Sequence, residues 1–313
     1  MVLDGFMKAI ENKKPLVHVI TNAVTINDCA NALLAIGASP IMAEDPAEVE
    51  EIVQLSDALV LNLGMPNPAK LKAMELAGKK AARLHIPIVF DPVGVGASSF
   101  RLQAAKRLLQ QIPFSVIRGN SSEIMALMHE MQEAPSKENE AGTIPAEKAG
   151  NNTGNNTDNN AGKNKEKGVD AAKNELSDGL SETLSKELCE FAGKCGAVII
   201  LSGKTDYVIC NTKIVAVYNG DANLGKVTGT GCQLSAILGA FLAAKPDEVF
   251  EAALAGVGAM GVCGEIASSR LLEGEGSGMF RVRLMDALSH LEDGTLSDGI
   301  RSCTILESVI ENR

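Results

Sequence analysis

An α/β fold built on a mostly parallel, doubly wound sheet, with helices on both faces and an antiparallel edge, is predicted by two features of the chain. Short apolar runs of strand length alternate with longer segments of helical period through most of the 313 residues, the pattern of parallel strands joined by crossover helices. Two further runs, at 206–212 and 213–219, are separated by so little chain that they read as an antiparallel pair at the sheet edge.

In order, a helix through about Asn12 leads to a buried strand at 16–20 that ends in the polar turn Thr21-Asn22. Polar groups past the carboxyl end of a buried strand are where open α/β sheets place ligands. Asn22 is therefore a candidate substrate residue, although Asn is also a good cap for the helix expected at 24–36. Gly37 closes that helix, and a second strand, SPIMA, ends at Met42 and Ala43. A helix near 46–55, a strand at 58–64 and a helix at 68–84 follow, then a strand at 87–96 that carries Asp91 ahead of Pro92 and two glycines. A carboxylate ending an apolar strand costs free energy unless it is solvated, paired or metal-bound, so Asp91 reads as a ligand-site residue. After a helix at 98–110, the strand at 114–120 delivers Arg118 and Asn120, and Glu123 sits in the first turn of the next helix. Asn120 or Ser121 with Glu123 makes an ordinary helix start; the same residues share an edge with Asp91, where two acids could hold Mg²⁺ and an Arg a phosphate.

From about 132 to 184 the composition changes to Asn, Gly, Lys, Glu and Ser, with AGNNTGNNTDNNAGKNKEKG in its middle. Such a stretch buries no apolar area and is expected to be a disordered surface insertion in a single domain spanning 1–313, not a linker between domains. Beyond a helix to about Lys194, a buried strand at 197–203 ends at Ser202, and after the hairpin two helices, 247–270 and 279–292, complete the expected fold.

The run KVTGTGCQLSAILGAFLAA at 226–244 joins a Gly/Thr turn directly to an apolar helix. Thr228 or Thr230 is placed to cap it. The glycines at 229 and 231 clear the way to free N–H groups at the positive end of the helix dipole, an anion site. Cys232, in the first turn, is expected to lean toward thiolate in that field.

A hydrophobic fraction of 45% suffices for a sizeable core. The net charge of −10 argues against nucleic acid or an anionic membrane as partner. Seven cysteines without a C-x-x-C pair suggest neither a disulfide framework nor zinc, and fit a reducing cytoplasm. The N-terminal segment lacks a signal peptide's apolar stretch and the apolar run at 234–244 is too short for a bilayer, so the chain reads as soluble and cytoplasmic.

Five separated motifs, PLVHVITN, LLAIGASPIMAE, FDPVGVGAS, IRGNSSEIMAL and VTGTGCQLSA, together resemble the hydroxyethylthiazole kinases of the ribokinase-like superfamily. That resemblance implies ATP-dependent phosphorylation of 4-methyl-5-(2-hydroxyethyl)thiazole by a homotrimer whose substrate site lies between subunits. It implies an anion hole at Gly229, Thr230 and Gly231, with Cys232 where most of the superfamily has an Asp base. It also implies Mg²⁺ service by Asp91 and Glu123, ATP contacts by Arg118, Ser202 and Asn120, and thiazole contacts by Met42, Gly229 and Asn22. Gln233 departs from the small residue usual after the cysteine. Related kinases for hydroxymethylpyrimidine or pyridoxal, or a nucleotide-binding lyase or sensor, would share the scaffold.

Overall fold

The computed structural model describes residues 3–132 and 179–307. The middle of the expected insertion, 133–178, lies outside them. A nine-stranded sheet runs β2-β1-β3-β4-β5-β6-β7-β8-β9. Its strands are β1 (Leu16–Ile20), β2 (Ser39–Ile41), β3 (Ala58–Asn62), β4 (Ile88–Asp91), β5 (Val116–Asn120), β6 (Val198–Ser202), β7 (Asp206–Ile209), β8 (Lys213–Val217) and β9 (Ser302–Glu307). The first six pair in parallel and β6 to β9 pair antiparallel; of these the hairpin spacing predicts the β7–β8 pair.

Strand residues alternate between two cores. Val17, Val19, Val60 and Val89 face a cluster with α1 (Phe6–Lys13), α2 (Ile26–Ala35), α8 (Thr230–Ala244), α9 (Val249–Ser269), α10 (Ser277–Ser289) and α11 (Asp293–Gly299). Ile20, Leu59, Leu61 and Phe90 face α3 (Val49–Leu55), α4 (Pro68–Arg83), α5 (Ser99–Gln111), α6 (Ser121–Gln132) and α7 (Glu182–Cys195). A sheet covered on both sides needs apolar residues on both, which is why these strands read as continuous runs without polar alternation.

Local chemistry sets the helix ends. Asn67 accepts from Lys70 N and Pro68 occupies the first turn of α4, a position where the missing N–H costs nothing. Ser181 accepts from Leu184 N, and Gly196 at φ 61° stops α7.

Two expectations are corrected. α8 has Gly229 at its N-cap, with φ 91° and no side-chain cap; Thr230 Oγ1 donates instead to Leu224 O at 2.9 Å, and Thr228 does not cap. The chain continues past the helix expected at 279–292 into α11 and β9. β9 is exposed along nearly its whole length, so no buried period marks it in the sequence. The absence of a membrane-spanning run is not overturned by α9: it is long and apolar enough by composition to cross a membrane, but most of it is buried in the core, where an all-round apolar helix belongs.

Candidate active site

From β1 the chain crosses to β2 on one side and then to β3 on the other. The crevice opened at such a reversal, beyond the carboxyl ends of the strands, is the binding position of doubly wound sheets. Asn22 follows β1 and Asn62 ends β3; Asn62 is level with Asp91 at the end of β4. α8 points its first turn at the same crevice.

The polar groups there form one network. Asn62 Nδ2 donates to Asp91 Oδ2 at 2.8 Å and to Cys232 Sγ at 3.3 Å. Asn22 Nδ2 donates to Asn62 Oδ1 at 3.1 Å and lies 3.7 Å from Cys232 Sγ, while its Oδ1 accepts from Val24 N. Asn22 thus holds the turn before α2 and reaches the cysteine at once. Ser235 Oγ, one turn beyond Gly231, donates to Asp91 Oδ2 at 2.8 Å. Asp91 is fully buried, and its Oδ1 has no hydrogen-bond partner among the described residues. Arg118 Nη1 stands 3.9 Å from that oxygen, and Arg118 Nε donates to Ser202 Oγ at 2.9 Å.

Two glycines lie in close approach to neighbouring side chains, and at Gly229 a positive φ of 91° favours glycine as well. A Cβ on Gly229 would lie 2.6 Å from Thr25 Cγ2, and one on Gly231 would lie 2.6 Å from Arg118 Nη1. Gln233 is the first residue of α8 whose N–H closes on a carbonyl, Gly229 O at 2.8 Å. The N–H groups of Thr230, Gly231 and Cys232 precede that first bond, the unsatisfied donors every helix start carries.

Burial decides the charge states. It pushes the Asp91 carboxyl up to about 6, against the pull of Arg118 and the Ser235 hydroxyl. Burial, and then the Asp91 carboxylate, also push the Cys232 thiol up; bonds from Thr25, Asn62 and Asn22 oppose them without reversing the direction. The expected lean toward thiolate is therefore overturned, because burial of the thiol, and then the acid beside it, outweigh the helix start.

Asn120 and Glu123 form a reciprocal capping box: Asn120 Oδ1 accepts from Glu123 N at 3.0 Å and Glu123 Oε2 from Asn120 N at 2.8 Å. Glu123 Oε1 accepts from Gly94 N at 2.8 Å, which ties the glycine loop after β4 to α6. Met42 lies just past β2, partly buried against the α8 face of the core. Three residues of the site carry no individual mark in the sequence reading: Asn62, Ser235 and Asp206. Asn62 could have been found by the signal that exposes Asp91, a polar residue closing an apolar strand. Asp206 accepts from Gly203 N at 2.9 Å, and its carboxyl is pushed up to about 6 by burial against the influence of the Gly203 N–H and Arg118.

The architecture defines the class first. A ribokinase-like superfamily protein from Enterococcus faecalis, 11% identical, has the same fold at a TM-score of 0.54 over 90% of each chain. The family follows from sequence: the pattern of the hydroxyethylthiazole kinase family matches residues 7–148 and 149–294, and the chain belongs to that family. It is 40% identical to a hydroxyethylthiazole kinase of Clostridium acetobutylicum over 300 residues, 96% of this chain and 98% of the relative. It is 31% identical to the solved hydroxyethylthiazole kinase protein of Pyrococcus horikoshii OT3, with a TM-score of 0.75 over 97% of this chain and 98% of the other.

Proposed function

We propose that this chain transfers the γ-phosphoryl group of ATP to the primary hydroxyl of 4-methyl-5-(2-hydroxyethyl)thiazole. The observation that carries the reading is the network joining Cys232, Asn22, Asn62 and Asp91 beside the open N–H groups of α8. An alcohol acceptor and a developing anion are both provided for at one point of the crevice.

Phosphoryl transfer through a loose transition state is mainly a matter of position and charge. The N–H groups of Thr230, Gly231 and Cys232 cradle the transferring group, aided by the dipole of α8. Arg118, braced by Ser202, meets the polyphosphate of ATP, and Asn120 frames the same edge. Met42, Gly229 and Asn22 border the thiazole. With its thiol kept neutral, Cys232 Sγ orients the alcohol oxygen and is not a resting base.

The acids fit magnesium. The described residues contain no group of three or more His, Cys, Asp or Glu able to hold a metal by themselves. Asp91, however, has an unpartnered buried oxygen, and Mg²⁺ is ordinarily held by one or two carboxylates together with waters and substrate phosphates. Asp91 and Glu123 would hold it, Glu123 with the lone pairs left by its two backbone N–H bonds. When bound, the ion supplies positive charge to the phosphate oxygens.

A homotrimer with the site between subunits accords with the exposure of Val24 and Met65, 62% and 52%, in the loops after β1 and β3. Light scattering of the purified chain tests it. Seven unpaired cysteines accord with a cytoplasmic location, and residues 1–313 are read as one kinase domain carrying an insertion. The test of the function is ADP release with magnesium and ATP in the presence of the thiazole alcohol, hydroxymethylpyrimidine or pyridoxal. Release that depends on the thiazole supports the reading; release with another alcohol reassigns the pocket.

A further inference from the structure

Lys70 is a charged residue with almost no access to water. It lies in the first turn of α4 with its side chain 6% exposed, and its ammonium donates to Thr21 O at 2.5 Å and stands 3.4 Å from Glu44 Oε2. Neither acceptor belongs to its own helix. Thr21 immediately precedes Asn22 in the loop after β1; Glu44 lies two residues past Met42 in the loop after β2. These strands are parallel neighbours, so one buried cation spans the two loops that carry Asn22 and Met42.

A second tie reaches the same place. His18 Nε2 is 2.8 Å from Ala43 O; a carbonyl only accepts, so Nε2 carries the proton. Burial lowers the pKa of His18, which keeps the ring neutral. The β2 loop is thus pinned from the strand by His18 and from the helix by Lys70, and among the described residues it is Lys70 that links it by polar contact to the β1 loop.

A buried ammonium costs free energy unless it is paired, and an apolar side chain would fill the same space more cheaply. Its partners are specific: a backbone carbonyl and an acid of which 55% remains exposed. The charge-assisted hydrogen bond to Thr21 O is short and directional, and Glu44 adds an ion pair at 3.4 Å. They fix the backbone from which Asn22 reaches Asn62 and Cys232.

We propose that Lys70 is a positioning residue for the acceptor alcohol, setting the distance between the Asn22 and Met42 loops through its hydrogen bond to Thr21 O and its ion pair with Glu44. The inference rests on the reading of this crevice as the thiazole-alcohol site. Lys70 does not touch the path from Arg118 to Ser202, so its effect falls on the acceptor and spares ATP.

The experiment is steady-state kinetics of the full chain with each substrate varied in turn, for the native protein, Lys70→Met, Glu44→Gln and the double variant. Lys70→Met is expected to raise KM for the thiazole alcohol about tenfold while KM for ATP stays within about twofold, the loss of one charge-assisted bond. Glu44→Gln, on an exposed side chain that does not endanger folding, is expected to raise the thiazole KM about twofold to threefold. In the double variant the effects are less than multiplicative, because both remove one contact. Unchanged thiazole KM in Glu44→Gln, a parallel rise in both KM values, or fully independent effects would overturn the proposal. Native protein without thiazole-dependent turnover would instead remove the functional reading itself, and the inference with it.

Discussion

Replacing Asp91 with Asn separates the cost of the site from its use. Asp91 is fully buried, and its carboxyl ionises at about 6 in the folded chain against 3.8 in the reference state. The folded protein therefore holds the proton more tightly than the unfolded one, and ionisation above that range works against folding. The penalty is absent well below 3.8, grows as pH rises through about 6, and is constant above it. A shift of about two pKa units corresponds to ~3 kcal/mol at pH 7.5 and about 1 kcal/mol at pH 4.5. The attraction of Arg118 is already contained in the net shift. Asn keeps an acceptor for Asn62 Nδ2 and Ser235 Oγ, so the hydrogen bonds at 2.8 Å survive. Urea unfolding of Asp91→Asn is expected to show a gain approaching ~3 kcal/mol at pH 7.5 that shrinks by about two-thirds at pH 4.5, with turnover falling on the order of a hundredfold or more. A variant less stable than the native chain at pH 7.5, or a gain independent of pH, would refute the reasoning.

The other predictions concern α8. Gly229→Val forces a side chain onto a backbone at φ 91° and against Thr25 Cγ2; turnover is expected to vanish and the melting temperature to fall, and an active variant would contradict the close approach. Cys232→Ser is expected to lower kcat by less than about tenfold, since a loose transition state asks little of a base; a folded but inactive variant in circular dichroism and ADP assays would make the thiol indispensable. Gln233 is fully buried with neither amide atom bonded among the described residues. Gln233→Leu is therefore expected to raise unfolding free energy by about 1–3 kcal/mol, and a loss in urea titration would mean that the amide has a partner.

The strands that build the crevice were legible because burial on both faces leaves unbroken apolar runs, and Asp91 and Asn22 stand out where such runs end. β9 was not, since an exposed edge strand bears neither a two-residue period nor a continuous apolar run. The cap of α8 is hidden for a related reason: Thr228 and Thr230 are good caps by type, but Thr25 occupies the space beside Gly229, and that contact joins residues about two hundred apart. The state of the thiol is hidden on the same ground. A helix start is visible in VTGTGCQLSA, whereas the burial of Cys232 and the carboxylate of Asp91 beside it come only with folding. Lys70 looks like any surface lysine of an amphipathic helix until Thr21 and Glu44 close over it.

The central claim is tested most directly by following the γ-phosphoryl group. Phosphorus NMR of the chain with ATP, magnesium and the thiazole alcohol is predicted to show ADP and a phosphomonoester of that alcohol appearing in equal amounts. Inorganic phosphate without ester, or no consumption of ATP, would contradict it.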